Sequence, residues 1–176
     1  MSVDTSALAS VMEQAVDACT AHVDAGGLPF VGVLVGAEGE VASGFGVNRV
    51  VETGDPKAHA EVVAMRDAMT RHGLDSLAGY TLLATGEPCG LCYRYAIDHG
   101  VDTIYVALDR DEVAALGFDY RASYPAFGIS DAQRESLFRP LAVEHGVEPF
   151  THYLHRHLSG HATVRPGTVS KGTPSL

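Results

Sequence analysis

The stretch "YTLLATGEPCGLCYRYAIDHGVDTIYVAL", residues 80–108, reads as a strand, a helix and a second strand with short links. "YTLLAT" (80–85) and "DTIYVAL" (102–108) are short apolar runs of the kind found in strands buried on both faces. Between them "CGLCYRYAIDH" (89–99) is helical, and Gly100 stops it. Two strands joined by one helix imply a right-handed crossover and parallel pairing, which places the chain in the α/β class.

Upstream, Leu8, Val11, Met12, Ala15, Val16, Cys19 and Val23 recur at three- and four-residue steps, the mark of an amphipathic helix over 7–23 that Gly26 and Gly27 end. "LPFVGVLVG" (28–36) and "VASGFGV" (41–47) flank the turn "AEGE" and predict a β-hairpin. A loop at 54–57 leads into a helix from about His59 to His72, closed by Gly73. Downstream, "RDEVAALG" predicts a short helix, "FDYRASYPAFGI" an aromatic loop, and "SDAQRESLF" a helix capped by Ser130. "LAVEHGV" (141–147) reads as a strand and "EPFTHYLHRHLSG" as a last helix. The expected organisation is one domain over 1–158 and a mobile C-terminal tail over 159–176, rich in Gly, Thr, Pro and Ser.

The 176 residues, 46% of them hydrophobic, suffice for one sizeable core. Twelve basic against 22 acidic side chains give a net charge of −10, which argues against a protein that grips phosphate backbones over a wide surface. Three cysteines cannot build a disulfide framework, so the expected compartment is reducing. "MSVDTSALASVMEQAVDACTAHVD" has neither a basic n-region nor an uninterrupted apolar core, so it reads as neither a signal peptide nor a membrane span, and the expected location is the cytoplasm.

Cys89 and Cys92 stand at i and i+3 where the crossover helix begins, and there the helix dipole and free N–H groups favour thiolates. A thioredoxin-like redox pair would use these two alone. A zinc site needs another ligand, and His59, at the start of the preceding helix, is the candidate. Three protein ligands leave a fourth position for water, as in catalytic zinc sites. Glu61 lies two residues beyond His59, roughly 200° away on a helical wheel, so it serves as no ligand with His59 on one face; it fits a general acid and base that carries a proton from that water to the substrate. The blander alternative is a buried core histidine and an incidental thiol pair, which leaves Glu61 beside an apolar run without a role.

Phe30 and Asn48 fall at strand ends on the side of the helix starts, where they would wall and orient a planar ring; core packing is the plain alternative for Phe30. The aromatic stretch 118–127, with Tyr120 and Tyr124, reads either as a lid or as packing. Of His152, His155, His157 and His161 the first three fall on different helix faces and no carboxylate pattern joins them, so a solvated histidine-rich helix is expected over a second metal site, with reach into a partner's active site as the alternative; Cys19 reads as core, and Asp109 carries no assigned role.

His-x-Glu (59–61) followed by Pro-Cys-x-x-Cys (88–92) is the signature of zinc deaminases. The chain resembles the cytidine deaminase-like superfamily, and within it the bacterial guanine deaminase branch, through "LPFVGVLV", "NRVVETGDPKAHAEVVAMRDA", "GEPCGLC" and "LGFDY" between about Pro29 and Tyr120. The resemblance implies a three-layer α/β/α fold with a mixed five-stranded sheet, a homodimer, Zn2+ as cofactor, and hydrolytic loss of an amino group from a free base such as guanine. It also implies that Asn48 binds the ring. From the residues themselves, the N–H of Ala60 at the helix start is expected to help hold the zinc-bound oxygen, and Tyr120 is a further candidate for substrate binding. The chain departs from that branch at Gly86, where a cysteine is typical, at Arg49, where an asparagine is common, and at Tyr120, where the branch has an aspartate associated with guanine. Cytosine, an amino-triazine or a pterin is therefore the alternative substrate; a tRNA adenosine deaminase and a non-catalytic zinc-binding module are further alternatives.

Overall fold

Asp4 starts the first helix by accepting the N–H of Ser6 at 3.0 Å. The computed structural model describes residues 3–161. Helix α1 (Thr5–Asp24) buries the predicted stripe, Leu8 to Val23; each of its large apolar side chains contributes roughly 1.5–3 kcal/mol on leaving water. Strand β1 (Val31–Val35) is buried at every position, so both of its faces are covered. It pairs antiparallel with the two-residue β2 (Gly46–Val47) on one side and with β3 (Thr81–Gly86) on the other. β3 continues parallel to β4 (Thr103–Leu108), and β4 parallel to β5 (Phe138–Pro140). The five-stranded sheet has the order β2-β1-β3-β4-β5, and α4 (Gly90–Asp98) makes the predicted crossover between β3 and β4.

Helix α3 (Ala60–His72) packs on β1 and β2, while α1 packs on β1 and β3 and against α8 (Glu148–His161). Two glycines set how low α3 sits. A Cβ on Gly32 would lie 2.9 Å from the Cα of Glu61, and one on Gly46 would lie 2.3 Å from the carbonyl oxygen of Ala60. Without those side chains the first turn of α3 rests directly on the sheet, at the end where β3 finishes. The sheet between helical layers is the three-layer α/β/α arrangement expected.

The remaining helices are α2 (Val50–Thr53), α5 (Arg110–Ala115), α6 (Ser123–Ala126) and α7 (Asp131–Leu137). Asp109 and Ser130 start α5 and α7 with reciprocal capping boxes, to Glu112 and Gln133. The short helix α6 falls in the segment read as an aromatic loop, and α2 lies just before the loop at 54–57, in residues given no element.

Two strand expectations are corrected. The strand expected over 141–147 lies at Phe138–Pro140 instead: β5 leaves α7 without a turn, Leu141 still donates to the Val106 carbonyl at 2.8 Å, and the chain then turns into α8. Of "VASGFGV" only Gly46–Val47 is a strand, with one bridge from Val41 to Val35. Between them the side chain of Ser43 takes the N–H of Leu34 at 2.9 Å and Asp67 takes that of Gly44 at 2.7 Å, so side chains replace the ladder and the edge bows away. Residues 162–176, most of the expected tail, lie outside the described residues. Among the described residues no helix is long and apolar enough to cross a membrane.

Candidate active site

β1 runs antiparallel to β3, so the start of β1, the end of β2 and the end of β3 lie together. Phe30, Asn48 and the turn Glu87–Cys89 therefore meet at one edge of the sheet. His59 caps α3 and Cys89 caps α4, both with extended backbone (ψ of 157° and 175°) and neither with its side chain spent on the cap. Cys92 follows one turn into α4. The two helices touch, and their starts converge.

The Sγ of Cys89 lies 3.4 Å from the Nδ1 of His59, the Sγ of Cys92 lies 3.5 Å from it, and the two sulfurs are 3.7 Å apart. Tetrahedral zinc with Zn–S of about 2.3 Å and Zn–N of about 2.0–2.1 Å requires separations of about 3.6 Å between nitrogen and sulfur and about 3.8 Å between sulfurs. The donor set and its spacing fit that ion. Among the described residues, these three are the group of His, Cys and carboxylate side chains whose ligand atoms converge in this way.

Glu61 is 4% exposed, and its Oε2 accepts from the thiol of Cys92 at 3.4 Å. Burial, and then the negative charge of Cys89, push its carboxyl up to about 7. The Cys89 thiol is held well below its ordinary range by hydrogen bonds from Cys92 and then His59, while burial pushes Cys92 up. One thiolate thus forms readily, and Glu61 can hold or release a proton near neutrality.

His59, Glu61 and Cys89 line one open cleft together with Leu28, Phe30, Asn48, Ala60, Tyr120 and the turn at Glu87. Phe30 stands edge-on to Phe118 and Phe150, each at 5.5 Å, so its ring is both core and cleft wall. Asn48 turns its Oδ1 to the N–H of Val50 at 3.1 Å. Tyr120 is buried and faces the cleft, with its hydroxyl donating to the carbonyl of Glu87. Most of the aromatic stretch is packed, since Phe118 and Tyr124 are buried too and Tyr124 donates to the Pro88 carbonyl at 2.6 Å, while Phe127 at its end is exposed. Gly86 matters here: a Cβ would lie 2.9 Å from Phe30 and 3.0 Å from Phe150.

The family described as the cytidine and deoxycytidylate deaminase zinc-binding region matches residues 5–108. The chain belongs to that family. As a zinc-binding deaminase it is similar to the guanine deaminase of Bacillus subtilis, with 29% identity over 140 residues covering 79% of this chain and 88% of that one. The solved structure of guanine deaminase from Bacillus subtilis superimposes with a TM-score of 0.60 and 26% identity over 94% of this chain and 96% of the other. Shorter matches run to the tRNA(Ile)-lysidine synthase of Deinococcus radiodurans, 34% identical over 51% of this chain but only 15% of that protein, and to the tRNA-specific adenosine deaminase of Aquifex aeolicus, 38% identical over 46% of this chain and 53% of that protein. The deaminase thus spans a small part of one relative and most of another.

Sequence reasoning missed Glu87, a buried carboxylate two residues before Cys89, and Arg134, which pairs with it through Nε at 2.5 Å. The Pro-Cys motif drew attention to the cysteines, and nothing local marks a partner 47 residues downstream. Of the other histidines, His152 meets Asp24 at 3.1 Å and His157 stacks on Tyr153. Cys19 is core, its thiol pushed up to about 12 by burial. Asp109 caps α5.

Proposed function

We propose that this deaminase acts on a free nucleobase, an amino-purine such as guanine, through zinc held by His59, Cys89 and Cys92. The observation that carries the reading is the Glu61 carboxylate, buried at an open cleft 3.4 Å from a sulfur of the converging donor set. Zinc in this setting supplies an activated water near neutral pH, its pKa lowered toward about 7.

Glu61 takes up a proton from the attacking water and delivers it to the ring nitrogen next to the amino-bearing carbon. It then passes the second proton to the departing amine, so that water and base yield the oxo base and ammonia. The N–H of Ala60, the first helical residue of α3, has no intrahelical partner and serves in this reading as a donor to the attacking oxygen; its place on the cleft supports that role. Asn48, its Oδ1 engaged, offers its amide nitrogen to an acceptor on the base. Phe30, Leu28 and Tyr120 supply flat apolar walls.

The guanine assignment draws on the likeness to the Bacillus subtilis enzyme along most of both chains. No lysine or arginine lines the cleft among the described residues, which with the net charge of −10 favours a free base over a nucleotide or an RNA. The reading includes a single domain over 1–158 and a homodimer working in the cytoplasm. Ammonia release from guanine, adenine, cytosine, their nucleosides and RNA tests it. Turnover of at least one free base is expected, with weak action on RNA; a preference for RNA would overturn the free-base assignment.

A further inference from the structure

Glu87 has no solvent access at its side chain, and four donors converge on it. Arg134, 16% exposed at its side chain, sets Nε on Oε1 at 2.5 Å and Nη2 on Oε2 at 2.9 Å. The hydroxyl of Tyr93 donates to Oε1 at 2.8 Å and the backbone N–H of Arg110 to Oε2 at 2.7 Å. The backbone of the same turn is held as well, through the bonds from Tyr120 and Tyr124 to the carbonyls of Glu87 and Pro88, while Ser123 accepts the N–H of Gly90 at 2.8 Å. The N–H of Glu87 itself donates to the carbonyl of Leu108 in β4 at 2.9 Å, and apart from that bond and Tyr93 the anchors named come from segments beyond β4.

A buried ion pair of this kind adds little net stability, because desolvation of the two charges offsets most of their attraction. What the two-pronged guanidinium does provide is orientation: it fixes both the position and the plane of the carboxylate. Two residues from that fixed plane stands Cys89, and α4 then carries Cys92. The residues matched by the family end at 108, so Arg134 lies outside them.

We infer that Arg134 is a positioning residue for the metal-binding turn: from α7 it locks Glu87 and thereby sets the separation of the Cys89 and Cys92 sulfurs. The inference rests on the reading that these cysteines, with His59, hold zinc. Residues that orient metal ligands typically change metal affinity by about 10–100-fold when replaced.

The full-length chain and the variants Arg134→Met, Arg134→Lys and Glu87→Gln/Arg134→Met are compared by zinc competition against a chromophoric chelator, with thermal unfolding and near-UV circular dichroism in parallel. Arg134→Met is expected to lose about 10–100-fold in zinc affinity, and Arg134→Lys, which keeps the charge without the fork, to fall between it and wild type. The double variant leaves no unpaired buried charge, so its stability is expected to recover while its zinc affinity stays low. Wild-type zinc affinity in the folded double variant overturns the proposal, as does affinity that rises and falls with stability across the set. Failure of all three variants to fold overturns it too, since the pair would then hold the fold and not the turn. Absence of stoichiometric zinc binding by wild type would instead be a failure of the ligand assignment, and the Cys89→Ser variant separates the two.

Discussion

His59 and Glu61 are two positions apart, yet both reach one cleft. His59, with ψ of 157°, stands before the helix, and only from Ala60 onward does the chain turn as α3. A wheel drawn through His59 therefore misplaces it. Replacing Glu61 with Ala is expected to cut ammonia release by about 10²–10⁴-fold with zinc content unchanged, measured by steady-state assay beside metal analysis. The same residue predicts a pH dependence. Its carboxyl sits at about 7 in the folded chain against an ordinary 4.5, so its contribution to stability is fully present below pH 4.5 and is lost as pH rises toward 7. In protein stripped of zinc, the stability difference between wild type and Glu61→Gln should shift by up to about 3 kcal/mol in favour of the variant across that window, read from urea unfolding at a series of pH values. A difference that does not change with pH would mean that Glu61 is not buried as described. The four residues His59, Glu61, Cys89 and Cys92 were legible because their spacing carries their chemistry. Glu87 and Arg134 were not, because a tertiary pair leaves no local pattern.

At the scale of elements, the site depends on how closely α3 lies on the sheet. Gly46→Ala would bring a Cβ to 2.3 Å from the Ala60 carbonyl and 2.7 Å from the Ala64 N–H, both rigid backbone. It is expected to destabilise the protein by about 1–3 kcal/mol, seen as a lower urea midpoint at unchanged slope. It should also weaken substrate binding, because β2 leads into Asn48; an unaltered midpoint would show that β2 can slide outward freely. The helices and the central strands were readable from periodicity and from Gly73 and Gly100, whose φ of 60° and 81° end α3 and α4 in the left-handed region. The edge strands were not. β2 is interrupted by Ser43 and Asp67 taking over backbone partners, and β5 is three residues containing a proline, with no alternation to read.

At the scale of the molecule, His59 at the start of α3 and Cys89 and Cys92 at the start of α4 would be tied together by a bound zinc ion, which would stabilise the folded state by mass action. Zinc at about 100 times its dissociation constant adds about 2.7 kcal/mol, so chelation is expected to lower Tm by about 5–10 °C, reversed by zinc and followed by differential scanning calorimetry. The homodimer predicts a sedimentation mass of twice the 18.6 kDa chain, and a single-chain mass at micromolar concentration would remove it from the reading. By itself the sequence determined the α/β class, the crossover pairing of β3 and β4, and the convergence of His59, Cys89 and Cys92, because hydrophobic period and ligand spacing are local properties of the chain. Tertiary structure alone decided that Gly32 and Gly46 let α3 descend onto the sheet, that Glu87 meets Arg134, and that Tyr120 turns its hydroxyl to the Glu87 carbonyl. Each of these depends on distances between segments far apart in the chain, and only packing sets such distances.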